Sequence, residues 1–428
     1  MTSTMLLILA VWVVVLFLGP PIWLTMALAG SAFVLIQNFD ATIIAQQEVS
    51  AANSFTFVAA PLFILMGHVM NNAGVTHRIF DFATALVGWM RGGLCHANVI
   101  ASMIFAGMSG SAVAEAGGLG TVEIKAMRDA GYPPGMAAGL TAAAATIGPI
   151  SPPSLPMVVY GAAAEVSVGK LFIAGIVPGV LMGLALMVLC AFMARSLNLP
   201  KGRFPDLAAL WRKFREAFWA LMTPVVLLAG MLSGVFTPTE AAAVATLYAL
   251  ILGLFVYRSF NVRQLPRLIL DTVETTGVVM VLVMAAKLLG WCLAISRIPQ
   301  ITGMALTTWS TNPLVFLLIV NLLLLFVGCF MEGIAAMLIL IPILVPVAMK
   351  LGIDPVHFGL VFVLNLMIGT VTPPVGVVLY VVANIARISF EQISRAIVPF
   401  LIPLLVVLAA ITLWPPLTTW LPHLLIDR

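Results

Sequence analysis

Charge is what this sequence has least of: 8% of its 428 residues are Asp, Glu, Lys or Arg, against roughly 25% in an average soluble domain. A water-soluble surface cannot be built from so few ionised side chains, so a soluble globular fold is excluded. No Lys or Arg precedes Arg78. The apolar start at Met5 therefore lacks the basic region of a cleaved secretory signal, and the first helix is expected to be retained. The four cysteines, Cys95, Cys190, Cys292 and Cys329, are widely spaced with no C-x-x-C, which argues against a disulfide framework or a thiolate metal site. The five histidines have no histidine partner three or four residues away, so a zinc site is not expected. The net charge of +4 comes from basic residues in short loops between apolar runs. That distribution marks topology rather than nucleic-acid binding.

What remains is apolar. Hydrophobic residues make up 62% of the chain, in runs close to the ~20 residues that cross a bilayer. The expected fold is an all-α polytopic membrane protein. Crossing helices are expected at 4–18, 21–37, 55–70, 135–163, 171–194, 218–236, 239–257, 271–292, 356–385 and 396–420. Two further stretches, 94–127 and 314–349, are interrupted near their middles. Each is too long for one span and divides poorly into two, so each reads as a re-entrant helical hairpin. Segments 78–91 and 298–310 are amphipathic enough to lie at an interface. With the N-terminus outside, fifteen Lys and Arg fall inside and only Lys170, Arg297, Lys350 and Arg428 outside, with Lys287 left inside a helix, in agreement with the positive-inside rule. Both termini are then expected outside. The basic stretch 195–217 becomes a cytoplasmic linker between two halves, 1–194 and 218–428.

The halves repeat. Shifted by 221 residues, Ile147–Pro153 (IGPISPP) lies on Ile368–Pro374 (IGTVTPP), and 14 of 74 aligned positions are identical, seven of them Gly or Pro. Composition alone gives about one Gly or Pro coincidence, so an internal repeat is favoured. The charge reading makes it inverted, since half one starts outside and ends inside, and half two does the reverse. Matched interrupted helices in inverted repeats point to the binding site of a secondary transporter. Broken backbone at membrane depth survives only where protein buries it or it lines a cavity.

Four pieces are expected to converge. They are the hairpin tips near Gly107–Glu115 and Gly328–Ala335, and the breaks Gly148–Ser154 and Gly369–Gly376. Ser109, Ser111, Ser151 and Thr372 offer hydroxyl oxygens, and the prolines leave carbonyls without partners. A cage of neutral oxygens at half-helix C-termini suits Na⁺, the expected coupling ion, while half-helix N-termini suit an anionic substrate. Proline kinks packed by neighbours are the plainer account of either break alone. Glu115 and Glu332 are ionisable groups inside apolar stretches, each a candidate proton carrier or cation ligand. Asn365, one turn before the second break, is a candidate cavity residue or a satisfied buried amide. The GMSG at 107–110 also fits the GxSG nucleophile motif of intramembrane proteases, with Ser109 as nucleophile and His96 or His357 as base. Proteolysis accounts for neither the repeat nor the paired breaks.

At these residues the chain resembles the large membrane subunit of tripartite ATP-independent periplasmic (TRAP) transporters, the DctM-like family. The resemblance is carried by segments 53–67, 118–154, 236–250 (FTPTEAAAVATLYAL) and 330–376. It implies inverted repeats with two hairpins, an elevator-type transport domain, and Na⁺-coupled import of an organic anion across a bacterial inner membrane. It also implies two partners, a small four-helix membrane subunit and a soluble periplasmic substrate-binding protein. Matched by motif, one Na⁺ site would involve Ser109, Gly110 and Ser111 with Gly148, Ser151 and Pro152. The other would involve Met331, Glu332 and Gly333 with Gly369, Thr372 and Pro373. Pro153, Ser154, Pro374 and Asn365 are the candidates for substrate contact. A stand-alone symporter or exchanger of the same architecture, driven by protons through Glu332, is the alternative.

Overall fold

A computed structural model describes residues 1–16, 18–202, 204, 206–301, 304 and 312–426. Helices α1 (Thr2–Leu16), α2 (Ile22–Ile36), α3 (Thr42–Ala52) and α4 (Ala59–Asn72) open the chain, followed by the amphipathic α5 (Val75–Val87). The first interrupted stretch forms α6 (Gly93–Ser109) and α7 (Ala112–Asp129), joined by a two-residue turn. The first proline-broken span forms α8 (Pro134–Ala145) and α9 (Leu155–Ala163). After α10 (Val168–Ser196) come α11 (Leu207–Leu232), α12 (Pro238–Ile251) and α13 (Leu265–Ile295). The second interrupted stretch is α14 (Pro313–Phe330) and α15 (Gly333–Lys350), and the second broken span is α16 (Pro355–Gly369) and α17 (Val377–Ala386). Helices α18 (Phe390–Leu413) and α19 (Pro416–Leu425) close the chain.

Among the described residues, seven helices are long and apolar enough to cross a membrane. The expected hairpin and broken-helix boundaries differ from the observed ones by one or two residues at most ends. Three features differ more. The stretch at 42–52 is a helix packed on α13, missed because its polar TIIAQQEVSAA carries no membrane signal. The segment at 195–217 is not all connecting chain, because α11 begins at Leu207 under an N-cap from Asp206, whose carboxylate accepts from Ala208 N at 3.4 Å. The run at 396–420 is divided at Trp414–Pro415, where the missing N–H of successive prolines ends α18. Most of the expected interfacial segment 298–310 lies outside the described residues.

The repeat is visible in the helix ends. Shifted by 221, α6 and α7 cover 314–330 and 333–350, where α14 and α15 stand at Pro313–Phe330 and Gly333–Lys350. Each hairpin packs against the first part of its own broken span, α6 and α7 on α8, α14 and α15 on α16. The second part reaches across: α17 packs on α7 and α9 packs on α15. Every residue of α16 beyond Pro355, and of α8 beyond Gly135, is buried. Such all-round apolar helices belong inside a bundle, and they carry both breaks into its centre.

Candidate ion and substrate site

The first hairpin turns at Gly110, whose φ of +61° is the left-handed conformation that glycine adopts freely. Ser111 then caps α7, its hydroxyl accepting from Ala114 N at 3.4 Å, while the Ser109 hydroxyl donates to the Ser111 carbonyl at 3.2 Å. The tip rests on the first break, with Leu155 N donating to the Gly110 carbonyl at 3.4 Å. A Cβ at Gly110 would lie 2.6 Å from the Pro153 carbonyl oxygen, so only glycine permits this seat. Within the break the Pro152–Pro153 peptide is cis, and three prolines between Gly148 and Ser154 rule out a continuing α-helix.

The second half repeats the construction with other side chains. Met331 is extended and Glu332 caps α15, its carboxylate accepting from Ala335 N at 3.0 Å. Position 332 matches 111 in the repeat, so the ionisable residue stands where half one uses a serine cap. Gly376 N, the match of Leu155 N, donates to the Cys329 carbonyl at 3.1 Å. The Pro373–Pro374 peptide is also cis. Gly369 packs on Gly328, and a Cβ at Gly369 would come within 2.6 Å of the Gly328 Cα.

Both tips and both breaks meet. A pocket of about 50 Å³ is lined by Gly110 and Ser111, Pro149, Glu332 and Thr370, among others. Beside it a cavity of about 800 Å³ is lined by Ser109, Ser111, Pro153 and Glu332, and reaches His68 and Asn71 on α4 and Glu274 and Thr275 on α13. Neither lining includes Lys or Arg among the described residues. The N-termini of α7, α9 and α15 open on these spaces through Ser111, Leu155 and Ile334, where helix dipoles favour negative charge.

Several expected residues point elsewhere. The Ser151 hydroxyl sits over Gly179 of α10, 2.5 Å from where a Cβ there would lie, so Ser151 can offer the tip backbone atoms only. Ser154 is fully buried, donating to the Pro149 carbonyl and accepting from Met157 N at 3.2 Å. It staples the break and caps α9, and substrate does not reach it. Thr372 returns its hydroxyl to the Ile368 carbonyl at 2.7 Å. Asn365 donates to the Asn321 carbonyl and side chain at 3.0 and 2.7 Å. It belongs with Asn321 and Thr412 to an interhelical chain and lines neither cavity. Pro374 is exposed but lines neither cavity, whereas Pro153 lines the larger one. Glu332 is exposed to both cavities, and Glu115 is buried near the tip, in the first turns of α7.

Sequence reasoning missed His68, Asn71, Glu274 and Thr275. Their signal was available, since polar pairs sit three residues or one residue apart at the edges of apolar helices. Neither histidine expected as a base for Ser109 is placed for that role. His96 lies 13 residues before Ser109 on the same helix, about 20 Å along its axis, and His357 bonds Thr418 at 2.8 Å. Among the described residues there is no cluster of three or more His, Cys, Asp or Glu able to hold a metal.

Helical hairpins tucked against broken spans around one polar centre are the architecture of a membrane transport protein. The chain belongs to the DctM family: residues 9–417 match the family model described as "Tripartite ATP-independent periplasmic transporter, DctM component". It is 47% identical over 417 residues to the sialic acid TRAP transporter large permease protein SiaM of Vibrio cholerae, covering 96% of this chain and 97% of that one. It is 42% identical over 400 residues to the C4-dicarboxylate TRAP transporter large permease protein DctM of Pseudomonas aeruginosa, covering 93% and 94%. To the 2,3-diketo-L-gulonate large permease protein YiaN of Escherichia coli it is 38% identical, covering 94% of each chain. The fold is shared with the crystal structure of the Alcanivorax borkumensis YdaH transporter, at a TM-score of 0.66, 16% identity and 89% coverage of both chains.

Proposed function

We propose that this large permease subunit imports an organic anion by Na⁺-coupled, elevator-type movement in a bacterial inner membrane. A periplasmic binding protein would deliver the anion, and a small four-helix membrane subunit would complete the transporter. The observation that carries the reading is the meeting of both hairpin tips and both breaks at one small pocket beside a large cavity. Neutral oxygens and helix C-terminal ends form the donor set that a monovalent cation accepts, and Ser109–Ser111 against Gly148–Pro152 fit it through hydroxyl and carbonyl oxygens. Bound Na⁺ would supply positive charge to walls that have neither Lys nor Arg among the described residues. The N-termini of α7, α9 and α15 would orient the carboxylate. The related permeases are named for sialic acid, C4-dicarboxylates and 2,3-diketo-L-gulonate, which supports an organic acid as cargo.

The charge-derived topology adds a direction. It puts the α4 end with His68 and Asn71, and the α13 start with Glu274, on the cytoplasmic side, so the large cavity opens inward. In this reading the hairpins and broken spans are the moving part, and α2, α4 and α13 form the wall they move against. Reconstituted with both partners, the chain should accumulate its acid only with Na⁺ outside and binding protein present. Uptake indifferent to Na⁺ overturns the proposal. Uptake that persists without a binding protein and is abolished by Glu332→Gln favours the stand-alone proton-driven alternative.

A further inference from the structure

Glu115 lies one turn into α7 and is 1% exposed; the Ser102 hydroxyl approaches its carboxylate, which otherwise has no hydrogen-bond partner among the described residues. It rests directly on the first break: a Cβ added to Gly148 would collide with its Oε2. Among the described residues no Lys or Arg pairs with it. The break it touches is the frayed C-terminal end of α8. There Thr146 N, Ile147 N and Gly148 N close turns onto the Ala143, Ala144 and Ala145 carbonyls. The carbonyls of Thr146 and Gly148 receive no hydrogen bond, partly because Pro149 has no N–H to give. A buried carboxylate therefore lies against the negative end of a half-helix in which two carbonyls are left unpaired. Stacking like charge in a low-dielectric interior is prohibitive unless something positive sits among it or the carboxyl holds its proton.

The surroundings offer no protein cation. From α6 the neighbour is the Ser102 hydroxyl. From α8 the nearby polar group is Thr141, which with Glu123 receives the Asn98 amide at 2.7 and 2.9 Å. Glu123 itself is eight residues along α7, about 12 Å away along the axis, and is a second carboxyl rather than a cation. The His96 ring lies further along α6, buried and unpartnered. Arg128, at the far end of α7, is committed to the Ala386 carbonyl of α17 at 3.0 Å. Half two has nothing equivalent: the repeat match of Glu115 is Ala336, and the neighbour of Gly369 is the Gly328 backbone.

We propose that Glu115 is the anionic ligand of a cation seated at the first break, with the free carbonyls of Thr146 and Gly148 completing its shell. The two repeat-related sites are then unequal, since only the first has a buried carboxylate. This rests on the Na⁺-coupled reading above and adds a residue and an asymmetry to it.

The test is thermal unfolding of the purified full-length chain in detergent, titrated with NaCl at constant ionic strength held by choline chloride. The wild type should be stabilised by Na⁺. In Glu115→Gln the half-saturating Na⁺ concentration should rise at least tenfold, and the melting temperature without Na⁺ should rise, because an uncompensated charge is gone. Glu123→Gln should leave the Na⁺ midpoint within twofold, and Glu115→Asp should fall between the wild type and Gln. Should Glu115→Gln not fold, a wild-type Na⁺ midpoint in Glu115→Asp overturns the proposal. So does an unchanged midpoint in a folded Glu115→Gln, the result expected if the group is merely a buried neutral acid. A wild type that shows no Na⁺-specific stabilisation sinks the coupled-transport reading as well, so the two failures are distinguishable.

Discussion

Gly148 and Gly369 match in the repeat, yet they meet different atoms, and that difference is where residue-level reasoning has most to add. At Gly369 the neighbour is main chain, with a Cβ position 2.6 Å from the Gly328 Cα. Backbone cannot swing aside as a long side chain can. Gly369→Ala should therefore cost at least the ~1–3 kcal/mol typical of overpacking, seen as a melting temperature several degrees below wild type. Gly277, inside α13, has nothing within 4 Å of its Cβ position. Gly277→Ala should be neutral or stabilising by up to about 1 kcal/mol from backbone entropy. Equal effects from the two would mean that the close approach at the second hairpin is not real. The aligned glycines were readable in the sequence because composition does not produce seven Gly or Pro matches. What each one touches was not, because contact across 33 to 41 residues depends on how the hairpin folds onto the break. The same limit explains Ser151 and Ser154. Ser151 was expected as an ion ligand and Ser154 as a substrate contact, and only packing shows one hydroxyl turned to α10 and the other closing a cap.

At the scale of elements, helix ends were the most legible feature, since caps and prolines are local chemistry. FTPTEA at 236–241 illustrates this. Thr237 caps α12 in a reciprocal box, its hydroxyl accepting from Glu240 N at 3.3 Å while Glu240 accepts from Thr237 N at 2.8 Å. A stretch that marks family membership thus has a plain structural job. Thr237→Ala should lower stability by about 1 kcal/mol, with amide exchange accelerating at residues 239–241 and not at the hairpin tips. Loss of transport without faster exchange there would assign Thr237 a role beyond capping. Less legible was α3, whose polar surface gives no hydropathy signal and whose helicity depends on packing against α13. The helical start of α11 within the basic linker was equally hidden, because charge there dominated the reading over the Asp206 cap.

The whole molecule is organised by exchange. The second part of each broken span leaves its own half and packs on the opposite hairpin, α9 on α15 and α17 on α7, so neither half completes its site alone. That arrangement has a functional meaning only if the halves run oppositely through the bilayer, which is the expectation from the distribution of Lys and Arg and which can be measured directly. The four native cysteines are buried, leaving a quiet background for single cysteines placed in loops. Ser233→Cys, at the exposed junction of α11 and α12, should react with a membrane-impermeant maleimide in right-side-out vesicles only. Pro200→Cys, in the exposed linker, should react in inverted vesicles only. His68→Cys lines the large cavity and should follow Pro200 if, as the proposed topology has it, the cavity opens toward the cytoplasm. If Ser233 and Pro200 label from the same side, the repeat is parallel and the pseudo-symmetric account of the two breaks fails. If the loops label as expected but His68 reacts from outside, the cavity faces the periplasm and the direction assigned to this conformation is reversed.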